Sequence, residues 1–200
     1  MMSGHWLWLF LSMFTPSCAL RPLAPPPPVP AQTVAILLPN NRTDDPLVVG
    51  GESLWDVFFT PSRQVTIADI LAAEARAQLE QRGFRVIPTT VVEEAVGDRS
   101  PNSVEEAVEL AAQGRLEGNA LYIEIKQWES DIPMGPICVF VSLDASLIDT
   151  ASGRIVWTTH RPLQPVPIPG AINQSTAYMI AAHQVTKELL GSWGTKRPTA

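Results

Sequence analysis

From Thr33 onward the chain is a succession of short apolar runs and amphipathic stretches whose periods predict its elements. TVAILLP (33–39) is apolar, rich in β-branched residues and closed by Pro39, which predicts a buried strand. Residues 40–62, NNRTDDPLVVGGESLWDVFFTPS, have no clean period and predict a long loop with a helical turn. Between Thr66 and Arg82 the apolar positions Ile67, Leu71, Ala75 and Leu79 recur every fourth residue before Gly83, the pattern of an amphipathic helix with its stop. FRVIP (84–88) predicts a second strand, parallel to the first through a right-handed crossover. A short helix over 90–96 follows. Ser103-Val-Glu-Glu106 is a capping box, and it predicts a helix running to about Gly114.

Within 121–126 (LYIEIK) alternation at period two takes over from Ile123 on, and it returns in ICVFVSLDASLID, 137–149. Asp149 to Gly153 supplies a tight turn, with RIVWTT (154–159) pairing back as a fifth strand. The next ten residues, RPLQPVPIPG, carry four prolines, which cannot occupy a central strand. A last helix over 172–190 aligns Tyr178, Ala182, Val185 and Leu189 on one stripe. The predicted order is β-α-β-α-β-β-β-α, an α/β single domain with a mixed β-sheet spanning 33–190, followed by a flexible tail over 191–200.

The N-terminal pattern differs. Trp6 to Phe14, WLWLFLSMF, is nine nearly uninterrupted apolar residues, too short for the ~20 a spanning helix needs but suited to a signal h-region. Thr15-Pro16-Ser17 and then Cys18 follow, with small Ser17 immediately before the cysteine, as in a bacterial lipoprotein signal; Thr15 stands where the lipobox usually has Leu, and no Lys or Arg precedes the run. Three roles compete for Cys18: lipid attachment, an incidental residue in a cleaved secretory leader, and a disulfide to Cys138. The h-region favours the first, with 1–17 as signal peptide and a diacylglyceryl and acyl group on Cys18. RPLAPPPPVP (21–30) contains six prolines and predicts an extended polyproline II spacer, so 18–32 reads as a tether holding a domain off a membrane.

Composition narrows the function classes. The 200 residues are 46% hydrophobic and 17% charged, enough apolar content for a core, and the net charge of −6 without a basic cluster argues against nucleic acid as partner. Two cysteines and three histidines lie far apart with no metal-ligand spacing, so no metal and no other cofactor is expected.

The segments VAILLP, GFRVIPTTVVEEAV, NALYIEIKQWESD and SLDASLIDTASGRIVW, in that order, resemble a family of small bacterial outer-membrane lipoproteins that includes a meningococcal surface antigen. More distantly they resemble lipoprotein domains of the TolB N-terminal and CsgG type. The DTASGRIVW stretch matches that family's turn of Asp, small residues and Gly leading into a strand that ends in Trp. The resemblance implies a periplasm-facing or cell-surface α/β domain tethered to the outer membrane, without catalysis, that binds envelope proteins or its own copies in assembly, secretion or transport. The rival readings are a regulatory module for a cell-wall synthase and a secreted enzyme of unknown reaction.

No residue set points to catalysis. Gly-x-Ser-x-Gly is absent, Gly51-Glu-Ser53 being only a fragment, and the adjacent pairs Glu93/Glu94 and Glu105/Glu106 diverge on their helices. Val48-Val49-Gly50-Gly51 lacks the endings of a phosphate loop. Cys138, inside an alternating strand, reads as a small buried apolar residue. The candidate interaction surface is Trp55, Phe58 and Phe59 in the long loop with Pro165 and Ile168 in the proline segment, because aromatics and rigid prolines outside regular elements lose little entropy on binding.

Overall fold

In the computed structural model, the structure describes residues 32–49, 64–97, 99–130, 138–191 and 193. Cys18, the tether, and Trp55, Phe58 and Phe59 lie outside the described residues. The elements are β1 (Thr33–Ile36), β2 (Asn40–Asn41), α1 (Ile67–Gln81), β3 (Arg85–Val86), α2 (Thr89–Val96), α3 (Val104–Gln113), β4 (Asn119–Ser130), β5 (Cys138–Asp149), β6 (Arg154–Pro167) and α4 (Gln174–Gly191). They form a single mixed α/β unit around a six-stranded sheet of order β3-β1-β4-β5-β6, in which β2 continues the line of β1 along β4. β1 is parallel to β3 and β4, whereas β4, β5 and β6 form an antiparallel meander.

Alternation within the strands divides the core in two. Val34, Ile36, Leu121, Ile123, Ile125, Leu143, Ala145 and Leu147 face one side, where α1 and α4 cover them; the α1 residues Ile67, Leu71, Ala75 and Leu79 are all fully buried there, as their spacing predicts. Ala35, Leu37, Ala120, Tyr122 and Ile148 face the other side, under Val92 and Val96 of α2 and Ala107, Leu110 and Ala111 of α3. On the first side Trp193 lies between Phe84 (ring centroids 4.8 Å apart) and Trp157 (5.8 Å), so this residue of the expected tail closes the end of the core.

The observed elements differ from the expected ones in two places. The first strand stops at Ile36 and resumes as β2, whereas the two helices that separate β3 from β4 fall where the patterns over 90–96 and 103–114 predict them. β6 does not end at Thr159 but continues through the proline segment to Pro167. It can do so because β6 is the outermost strand. Pro165 and Pro167 stand opposite Phe140 and Cys138, and without N–H groups they leave the ladder bonds here to Val166 opposite Val139.

The helix starts show how local chemistry fixes boundaries. Thr66 caps α1: its Oγ1 accepts from Asp69 N, while the Asp69 carboxylate accepts from Thr66 N at 2.9 Å. At α3, Ser103 Oγ accepts from Glu106 N as expected, but the Glu106 carboxylate reaches one residue further back and accepts from Asn102 N at 2.8 Å. The β5–β6 turn closes with Gly153 N donating to Asp149 O, at a Gly153 φ of +65°.

Candidate binding face

The helices α2 and α3 are short, and the second apolar cluster they cover ends at Tyr122 on β4 and Ile148 on β5. Further along the same face the strands carry polar residues, and among the described residues no helix packs over them. The register sets Glu124, Asp144 and His160 side by side across β4, β5 and β6, with Asn40 of β2 completing the row. Arg42 Nη1 lies 2.9 Å from Glu124 Oε1, and Lys126 Nζ lies 2.6 Å from Glu124 Oε2 and 3.5 Å from Asp144 Oδ2. His160 Nδ1 contacts the other Asp144 oxygen.

Burial grades along the row. The Glu124 side chain is 10% exposed, Asp144 38% and His160 63%. Glu124 keeps its charge out of water because two cations flank it, which meets the need of a buried carboxylate for paired partners. Toward β6 the pairs are wet and hold little energy of their own, so they are free to exchange partners with an incoming charged surface.

At the covered boundary Tyr122 donates its hydroxyl hydrogen to Pro101 O at 3.3 Å. Burial pushes its phenol up to about 12; the Asn40 side-chain bond works against this, and the negative charge of Glu124 adds to it. Tyr122 therefore stays protonated as a donor throughout the neutral range. At the distal end of the hairpin, Asp149 accepts from Ser152 Oγ and Ala151 N, bonds that hold its carboxyl below the usual range.

An apolar margin flanks the row on the open edge. Ile155, Val156 and Leu163 of β6 are exposed, and Pro165 is exposed opposite Phe140. Arg161 of the same strand points instead to the first face: Nε donates to Glu188 Oε2 at 3.1 Å and Nη1 to Val141 O, which ties the edge strand to α4.

Of the residues expected at an interaction surface, Pro165 is exposed on β6, but Ile168 is 2% exposed inside the first core cluster. Ile168 is thus a core residue and not part of a surface: β6 ends one residue before it, at Pro167, and its side chain packs in the first core cluster. Cys138, expected as buried, is a half-buried free thiol at the start of β5. Glu124, Lys126, Asp144 and His160 were not candidates in the sequence. Glu124, Lys126 and Asp144 have polar positions in alternating runs and His160 follows the expected fifth strand, but only the pairing register brings them together.

Among the described residues no group of three or more His, Cys, Asp or Glu side chains is placed to hold a metal, and no helix is long and apolar enough to cross a membrane.

The chain matches no protein-family model and no curated protein sequence. Among solved structures it resembles lipoprotein GNA1162 from Neisseria meningitidis, at 18% identity and a TM-score of 0.47 over 78% of this chain and 97% of that one. It also resembles the PelC dodecamer of Paraburkholderia phytofirmans (15%, 0.45, 80% and 85%) and the LpoB C-terminal domain of Salmonella enterica (16%, 0.40, 67% and 83%). These are likenesses in the arrangement of elements, at identities and scores too low to transfer a role.

Proposed function

We propose that this chain is a non-enzymatic envelope lipoprotein: an α/β domain, tethered through lipidated Cys18 to the outer membrane and facing the periplasm or the cell surface, that binds another envelope protein or its own copies. The observation that carries the binding role is the half of the sheet over which no helix packs among the described residues, where paired charges with wet partners lie beside the apolar margin of β6. Such a mixture of apolar contact and exchangeable charge suits a surface that meets a protein. The anchor rests on the leader, Ser17-Cys18 and the proline tether. Kinship with the TolB N-terminal and CsgG-type domains belongs to the same proposal and rests on the sequence segments that resemble them.

Purification of tagged protein from detergent-solubilised envelopes tests both parts. Wild type retains a partner, or a second differently tagged copy, that the face variant Lys126→Glu/Thr158→Arg loses and the outer-helix variant Ala73→Arg keeps. Retention by the face variant as well as by wild type and Ala73→Arg contradicts the face. Radioactive palmitate incorporated by wild type and not by Cys18→Ala supports the anchor, and equal absence of label from both removes it.

A further inference from the structure

A concave feature lies on the opposite edge of the sheet from β6. The helix after β1 covers the first face and the helix after β3 covers the second, so the chain leaves two neighbouring parallel strands toward opposite sides. At such a switch point a crevice opens at the carboxyl ends of the strands, which is where open α/β sheets bind ligands. Here β3 ends at Val86, two residues short of the helix that follows, and among the described residues no strand pairs with β1 on that side beyond Val34.

The crevice has a volume of about 390 Å³. Its walls are apolar: Ile36 and Leu38 from β1 and the segment after it, Ala72 from α1, and Val92 and Val96 from α2. Among the described residues its polar lining is Arg76, Arg99, Thr89 and Glu93, two cations against one carboxylate. Arg76 is held in place by Nη1 donating to Ile87 O at 2.9 Å and Nη2 to Thr89 Oγ1 at 2.8 Å. Arg99 donates through Nε to Val96 O and through Nη2 to Gln113 Oε1. These bonds use two of the five hydrogens of each guanidinium and leave the others for a ligand. The amino end of α2, at Pro88 and Thr89, carries no side-chain cap and adds a further preference for negative charge.

We infer that this crevice binds a small amphiphile, a single short acyl chain or ring that ends in a carboxylate or a phosphate. The apolar walls take the tail, and Arg76 and Arg99 take the head. The volume lies at the low end of small-molecule pockets, which excludes a two-chain lipid. This site is separate from the open half-sheet and goes beyond the proposed binding role.

Calorimetric titration of the full chain with decanoate, decyl phosphate and decanol, each below its micellar concentration, tests the inference. Saturable binding of one or both anions, about tenfold or more tighter than decanol, is expected, and the preferred head group tells a fatty acid from a phosphate monoester. Arg99→Gln, at an exposed position, weakens the anion about tenfold without changing decanol binding. Ala72→Phe fills the crevice and abolishes both, with the far-ultraviolet circular dichroism of wild type. Decanol binding as tightly as the anions, no binding of any of the three, or an anion affinity untouched in both variants overturns the assignment.

Discussion

Tyr122 sits where the covered and open halves of the sheet meet, and its chemistry follows from that position. Its phenol is pushed up to about 12, chiefly by burial, so the native state holds its proton more tightly than the unfolded chain does. The stability this contributes is fully present below about pH 10, the unfolded value, and is lost as the pH rises through about 12. The sequence has two tyrosines, so in Tyr178→Phe the absorbance of ionised phenolate reports Tyr122 alone. A midpoint near 12 is expected, coupled to falling stability above about pH 10; a midpoint near 10 with the fold intact contradicts the buried environment. The sequence marked Tyr122 as one residue of an apolar run. It did not mark the boundary, because Pro101 and Asn40 reach the hydroxyl from remote parts of the chain.

Among the elements, those with local causes were legible. The four-residue spacing of Ile67, Leu71, Ala75 and Leu79 predicted α1, and all four are buried; Ser103 was rightly placed as a cap. The reach of β6 was not legible, since a proline-rich segment reads as the end of a strand unless the strand is known to be the outermost one. Its prolines protect the edge. Pro165 and Pro167 remove outward N–H groups that another strand would otherwise use. In Pro165→Thr/Pro167→Thr these donors return, and light scattering after size-exclusion chromatography is expected to show self-association at concentrations where wild type has a lower mass. An unchanged mass would count against this role.

The turn into β4 is another element whose constraint is physical and local. Gly118 has φ of +80°, and a Cβ there would lie 2.3 Å from Thr33 O, a backbone atom of β1. Thr150 Oγ1 shares its one hydrogen between Leu116 O and Gly118 O, which holds the turn in place. Gly118→Ala combines a left-handed backbone with a backbone clash, and it is expected to destabilise the domain by more than about 2 kcal/mol in urea unfolding. A loss of less than about 0.5 kcal/mol, the range of neutral surface changes, would show that β1 and β4 are not packed this closely.

At the scale of the whole molecule, fold class was legible and the binding face was not. Alternating runs and amphipathic helices predicted an α/β domain with a mixed sheet, which is what forms. The face depends on two long-range facts: that α2 and α3 are too short to cover the second side, and that the register aligns Glu124, Asp144 and His160. The expected surface at Ile168 failed for the same reason, since burial in the first core cluster is not written in neighbouring residues. Lipidation at Cys18 and contact through the open half-sheet are the two halves of the functional account, and contact is the central one.

Site-specific photocrosslinking in intact cells tests it most directly. A benzoylphenylalanine in place of Thr158, exposed on the open face beside Ser146, is expected to give a discrete adduct at the mass of a dimer or of a larger envelope complex, while the same group at Ala73 on the outer face of α1 gives none. Adducts of equal yield from both positions, or none from Thr158, would contradict the claim that this face meets a protein.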